Sequence, residues 1–443
     1  MTREVAIINR LLPAEMLGRV FRLLTHVDLK NAVLVCKWWR EVGEMPQLWS
    51  WACIKVDCAK CPCLPEMPEA RMMRPVRRME VRCCNAQRKP EVAVIEEVLL
   101  AAARHPGIKE LVISVDLSAV DPELLAWTVI QLEEVKLFFT HLSFMHIFTI
   151  CATITEHSSL KSLYLGKGAT YVLSEVDANV LAQAITHLVG VRIGNAQLIP
   201  EQLEAIFVAL DSSSQLKRLN FCCNNLASLD AHLMARVLNK IEEVELYGAY
   251  ITCEQITAIC TLMMENSKLK VLDLKCIKTW TMQKGHDIAM VDPVLLAHAI
   301  TQLEEVKLPI RLSPEKLKAI FAALNMPSSR VKRLNMSGIN LSSVDANVMA
   351  NVVNKLEIVD IRITHLTSLQ ITEILTQSLV TTSLKELYMP GEPCLGESNL
   401  PLGELVLPGN KQRRKLLERV RRIIPTTVFH RQCQCTGCPA WSL

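Results

Sequence analysis

The residues best suited to chemistry are the cysteines. Cys58-x-x-Cys61 has the spacing of half a zinc site, and Cys83 with Cys84 could supply two further thiolates, although adjacent cysteines make awkward ligands. His430, Cys433, Cys435 and Cys438 form a second, cramped group. The competing reading of both is a set of free thiols, and no metal site is assigned. A redox role for Cys58 and Cys61 would want the pair between a strand and a helix, and the local sequence offers neither. Other chemistries lack their motifs. There is no G-x-x-x-x-G-K-[ST], no H-E-x-x-H and no G-x-S-x-G; Gly166-x-Gly168 lacks a third glycine, and His286 stands alone. The sequence thus predicts a non-catalytic chain without a cofactor.

At 443 residues the chain is long enough for several domains or one long array. Half the residues are apolar but only 5% are aromatic, so the cores are aliphatic. A net charge of +4 gives no case for nucleic acid or a membrane surface as partner. The longest apolar stretch, Leu142 to Ile154, is broken by Ser143, His146 and Thr149 and is too short to span a bilayer. The start, MTREVAIINR, shows no signal-peptide core, and seventeen cysteines are an odd number. Reduced thiols in a cytoplasmic or nuclear protein are the expectation.

Leu11 to Trp49 reads as three short helices. Pro13 suits a first helical turn, followed by Met16, Leu17, Val20, Phe21 and Leu24 at helical spacing. Asp28 is placed to cap a second helix with Leu29, Ala32, Val33 and Cys36; Trp38, Trp39 and Val42 follow on a third, which Pro46 stops. About forty residues cannot hide this much apolar surface among themselves, so a partner groove or the rest of the chain must cover it. The run Leu12-Pro13-x-Glu15, Phe21, Leu24, Asp28-Leu29, Val35-Cys36-Lys37-x-Trp39 and Pro46-x-Leu48-Trp49 resembles an F-box. That resemblance implies docking on the adaptor subunit of a cullin–RING ubiquitin ligase. Leu12, Pro13, Leu17, Val20, Phe21, Leu24, Val35 and Trp39 would fill the adaptor's groove or support the residues that do.

From about residue 105 the chain repeats. The pattern L-x-x-L-x-L starts at 108, 132, 160, 188, 216, 241, 269, 303, 331, 356 and 384, with VRRMEV (76–81) as a weaker earlier copy and LGELVL (402–407) as a truncated last one. Helical text separates the copies. In one helix type Asp121, Asp177, Asp230, Asp292 and Asp345 stand at N-cap positions; other helices, such as 200–210 and 314–324, open with Pro and Glu. The two types alternate, so the unit is a pair of half-repeats. This arrangement is similar to leucine-rich repeats of the ribonuclease-inhibitor-like kind, with their turn asparagine matched only by Asn224. The expected fold is α/β: a three-helix module over residues 8–52, then a Cys/Pro/Arg-rich linker or first irregular repeat (53–92). About eleven units (93–395) would stack into a curved solenoid with strands inside and helices outside, closed by a C-terminal cap (396–424) and a flexible tail (425–443).

Stacking sets two rows of side chains side by side. The second strand residue alternates in sign: Lys109, Glu133, Lys161, then neutral Val189, then Lys217, Glu242, Lys270, Glu304, Lys332, Glu357 and Lys385. Such charges set register and solubility. The fifth residue faces the open side of the strands and follows no rule. Tyr164, Arg192, Asn220, Asn335 and Tyr388 from that row are candidates for contact with a protein substrate. Trp280 and Lys284 join them, because the loop 275–290 is longer than its counterpart at 222–228. The resemblance implies a substrate receptor: the helical module would hold the adaptor and cullin, and the repeats the protein to be modified.

Overall fold

The computed structural model describes residues 13–45 except 22, 25 and 44; 53–57; 77–82; 91–275 except 106, 139, 156–157 and 166–172; 290–390 except 363 and 379–382; and 428–430. The C-terminal cap helix, the insertion carrying Trp280 and Lys284, and Cys58, Cys61, Cys83, Cys84, Cys433, Cys435 and Cys438 lie outside them. The chain divides into two compact units, Met1–Leu216 and Lys217–Leu443.

The first unit opens with helices α1 (Ala14–Phe21), α2 (His26–Ala32) and α3 (Lys37–Gly43). Pro13 sits just before α1, its carbonyl accepting from Met16 N and Leu17 N at 3.0 Å. Helix α2 begins two residues ahead of Asp28, so Asp28 lies in the first turn rather than at the N-cap, where its charge still complements the helix dipole. Leu17, Phe21, Leu29, Ala32 and Val42 form the module's core, with Leu24, Trp38 and Trp39 packed on its edge. Phe21 meets Trp39 edge to face at 5.3 Å between centroids.

Strands β1 (Cys53–Asp57) and β2 (Arg78–Arg82) follow. Then come α4 (Val92–Arg104), β3 (Glu110–Ser114), α5 (Pro122–Gln131), β4 (Glu134–Leu137), α6 (Phe144–Thr153), β5 (Ser162–Leu165), α7 (Ala178–Thr186), β6 (Gly190–Ile193) and α8 (Pro200–Ser212). The six strands pair in chain order, all parallel. Successive helices from α4 to α8 pack side by side in one layer. A strand followed by a helix and a parallel strand forces this arrangement, because each crossover returns the chain on the same hand.

The second unit repeats the scheme with β7 (Arg218–Asn220), α9 (Ala231–Lys240), β8 (Glu243–Glu245), α10 (Cys253–Asn266), β9 (Val271–Asp273), α11 (Pro293–Thr301) and β10 (Glu305–Lys307). It continues through α12 (Pro314–Asn325), β11 (Arg333–Asn335), α13 (Ala346–Lys355), β12 (Ile358–Asp360), α14 (Ser368–Gln377) and β13 (Glu386–Pro390). A three-residue strand, β14 (Val428–His430), adds parallel to β13 from the segment expected to be a flexible tail.

All five aspartates expected as N-caps accept backbone N–H groups: Asp121 from Glu123, Asp177 from Asn179 and Val180, Asp230 from Leu233, Asp292 from Leu295, and Asp345 from Asn347 and Val348. The missing asparagines do not loosen the turns, because backbone pairing closes them. Tyr250 N donates to Asn224 O and Leu226 N to Tyr250 O, both at 2.9 Å, and Gly338, at φ +87°, donates to Arg362 O at 3.0 Å. Thr140, Ala196, Ala249 and Thr364 are buried in the corresponding turns.

The alternate helices carry a device that ties half-repeats into pairs. Gln255, at the third position of α10, accepts from Thr252 N at 2.9 Å and donates to Leu226 O and Leu229 O at 2.8 and 2.7 Å. Gln370 does the same with Thr367 N, Leu341 O and Val344 O, and Gln202 with Ile199 N, Leu173 O and Val176 O. In the first pair His146 substitutes: Nδ1 accepts from Ser143 N at 3.1 Å and Nε2 donates to Val120 O at 2.8 Å, which fixes the tautomer. Each side chain is buried, and the bonds it makes to the carbonyls are formed without competition from water. Helices pack more extensively within a pair than between pairs, and this holds also for α11 with α12, where Lys316 stands at the corresponding position.

Candidate partner-binding surfaces

The helical module sorts its expected docking residues into two groups. Leu17 and Phe21 are buried in its core, and Leu24 and Trp39 pack against that core. Pro13, Val20 and Val35 face outward. Leu12 lies outside the described residues. Met16, Leu23, Leu34 and Met45 are also exposed; sequence spacing alone did not single out the last three. Sixteen large apolar side chains are exposed among the described residues, and six of them (Met16, Val20, Leu23, Leu34, Val35 and Met45) fall within this short module. The module thus carries a disproportionate share of the exposed large apolar side chains, as interaction sites commonly do.

The strand side of each unit is a second surface. In the first unit, Arg78 reaches Glu110 at 3.4 Å, and Lys136 bridges Glu110 and Glu134 at 2.8 and 3.0 Å. Burial works against the Lys136 charge, yet the two carboxylates outweigh it and hold the ammonium above its ordinary range. Lys136 also sits 5.5 Å from the centroid of the Tyr164 ring. Register places Tyr164 between Lys136 and Arg192. Val112, in the same row, is buried rather than open.

In the second unit the row is largely bonded to itself. Asn220 pairs with Glu245, and Asn335 donates to Asp360 at 3.1 Å. Asp360 holds Arg362 at 2.8 Å, and Arg362 stacks 5.2 Å from the Tyr388 ring centroid. Tyr388 donates to Glu386 at 2.8 Å, which, with burial, raises its hydroxyl above the usual range. Lys307 meets Asp273 at 3.0 Å. Asn220 and Asn335 are therefore committed to the sheet, and Tyr388 is half-buried between its bond to Glu386 and the Arg362 guanidinium. Trp280 and Lys284 lie outside the described residues.

The sign-alternating row forms the ladder that stacking predicts. Glu133 lies between Lys109 and Lys161, the latter at 2.9 Å, and Glu242 lies between Lys217 and Lys270 at 3.7 and 2.6 Å. Lys332 meets Glu304 at 3.2 Å and Lys385 meets Glu357 at 2.6 Å. Hydrogen bonds from Lys109 and Lys161 pull the Glu133 carboxyl down to about 2. Among the described residues no group of three or more His, Cys, Asp or Glu side chains could hold a metal ion, and no helix is long and apolar enough to cross a membrane.

Known proteins bear on the N-terminal module most directly. Residues 10–55 match the F-box-like family. A search of curated proteins finds no match. Among solved structures, the leucine-rich repeat-containing protein LegL7 from Legionella pneumophila is similar at 16% identity, over 69% of this chain and 98% of that one, with a TM-score of 0.41. The chain carries an F-box-like domain at its N-terminus, followed by parallel strand–helix repeats of the leucine-rich kind.

Proposed function

We propose that this chain is the substrate-recognition subunit of an SCF-type ubiquitin ligase. Its F-box-like domain binds the ligase adaptor and, through it, the cullin; its repeats bind the protein to be modified. The receptor performs no chemistry of its own. It raises the local concentration of substrate lysines near a ubiquitin-charged enzyme, which turns a bimolecular encounter into an intramolecular one. Such a receptor works in the cytoplasm or nucleus.

The observation that carries this reading is the concentration of exposed apolar side chains in the F-box-like domain, on helices whose own core is already filled by Leu17, Phe21 and Leu29. Val20 is 49% and Val35 46% exposed, so both have surface left to bury against a partner. Covering several such side chains contributes about 1 kcal/mol or more apiece, enough together to offset the cost of association.

The test is co-purification of adaptor and cullin with the tagged chain from cells. Val20→Asp combined with Val35→Asp would force two carboxylates into the interface at a cost of several kcal/mol and should abolish capture of both. Undiminished capture by the double variant would exclude this face as the docking surface. Capture of neither protein by the unaltered chain would leave an interaction scaffold without a ligase role.

A further inference from the structure

The outward strand residues of β2 to β6 in the first unit carry four cations, Arg78, Arg82, Lys136 and Arg192, and three carboxylates, Glu80, Glu110 and Glu134. Three of the cations are spent: Arg78 on Glu110, Arg82 on Glu80, and Lys136 on Glu110 and Glu134. Arg192 has no hydrogen bond or ion pair among the described residues, although it is half-buried. Nor does the neighbouring sequence offer it an acid. Residues 157–174 and 178–200 contain no Asp or Glu. The sign ladder also lapses at this strand, where Val189 follows Lys161.

The surface beside Arg192 is low. Glu110 and Glu134 stand over the sheet on earlier strands, but Ser162 and Gly190 occupy the corresponding positions on β5 and β6. A half-buried guanidinium with five donors, flanked by the Tyr164 ring and by side chains too small to obstruct approach, suits a planar carboxylate held through two parallel hydrogen bonds. We infer that the β5–β6 face captures an acidic peptide segment, one carboxylate of which pairs with Arg192 beside Tyr164. This rests on the reading of the repeats as the surface that binds a protein substrate, and it names the chemistry that substrate must present.

A library of random twelve-residue peptides selected on the full-length chain tests the inference. Selected peptides should be enriched in Asp and Glu over the input. The strongest binder is then resynthesised with each acid changed to its amide, and affinities are read by fluorescence anisotropy. Arg192→Gln should weaken the acidic peptide about tenfold or more, as should one of the amide peptides on the unaltered chain. The two changes together should cost no more than either alone, an outcome that a merely structural role for Arg192 would not produce. Arg333→Gln, which removes a cation already paired with Glu305 at 3.3 Å, should leave affinity unchanged. Selection without acid enrichment, or additive losses in the cycle, would overturn the inference. So would phosphoserine bound more than tenfold tighter than glutamate at the critical position, which would replace carboxylate by phosphate. Adaptor co-purification from the same preparations reports on the ligase reading separately, because Arg192 lies outside the F-box-like domain.

Discussion

Gln255→Leu removes the tie between two half-repeats while nearly preserving side-chain volume. Three hydrogen bonds vanish: those to Leu226 O and Leu229 O, and the one accepted from Thr252 N. Leu226 O keeps a partner, since Leu229 N donates to it at 3.0 Å. Leu229 O and Thr252 N lose theirs. Leu229 O is buried and costs about 1–3 kcal/mol when left unpaired, whereas Thr252 N is half-buried and recovers part of its cost from water, so the two together cost about 2–4. The leucine returns about 1.5 kcal/mol through burial of apolar surface at a site where Gln255 is 1% exposed. The net expectation is a loss of about 0.5–2.5 kcal/mol, confined to the pair spanning α9 and α10. Because a repeat array opens in segments, the assay should be local: amide hydrogen exchange in the first turn of α10. Exchange there should accelerate by about two- to seventyfold, while α13 and α14 are unaffected. Gln215→Leu, which removes an exposed bond to His187 O, is the control and should change exchange less than twofold by the small worth of a solvated bond. If Gln255→Leu behaves like Gln215→Leu, the buried glutamines do not hold the pairs together.

Three further outcomes follow from particular side chains. Gly43→Ala should destabilise the F-box-like domain by about 1–3 kcal/mol in thermal melts, because the new Cβ would overlap Val33 Cγ1 in the core; the helix-propensity gain of about 1 kcal/mol is smaller, and a rise in stability would refute the packing. Glu133 has a folded pKa of about 2 against an ordinary 4.5, so its contribution is complete above pH 4.5 and is lost as pH falls from there toward 2. After discounting for its partial exposure, the stability gap between the unaltered chain and Glu133→Gln should be about 1 kcal/mol at pH 7 and close to nil at pH 2; a gap that widens in acid would contradict the ladder. Burial pushes the thiols of Cys151 and Cys260 up to about 12, so both should resist iodoacetamide at pH 8 in the folded chain while the half-exposed Cys36 and Cys253 react, as read by peptide mass spectrometry.

The sequence disclosed whatever is set by period. Strand positions, alternating helix types, the capping aspartates and the sign ladder are all consequences of stacking one unit on the next, and each unit repeats the same signal. The buried glutamines escaped notice because a glutamine three residues into a helix looks like solvated surface; only its recurrence at 202, 255 and 370 could have marked it. Asp28 suits an N-cap by residue type, but acidic residues also favour the first helical turn, which is where it lies. β14 is three residues long and pairs with a strand some forty residues upstream, so no local pattern announces it. For the docking surface, spacing identified apolar positions but not which of them face inward. Leu17 and Val20 are both apolar residues on α1, yet one is buried and the other open, a distinction made by where α2 and α3 pack.

The glutamine ties bear on how such a protein changes over generations. Gln202 grips Leu173 and Val176 in the manner that Gln255 grips Leu226 and Leu229, yet the run from Leu165 to Leu173 is three residues longer than that from Phe221 to Leu226. The same anchor thus serves connections of different sequence length. Lengthening a loop costs little entropy once its ends are fixed. One rim of the array can thus be rewritten, segment by segment, without disturbing the rows behind it, and new specificities can be tried there on an unchanged frame.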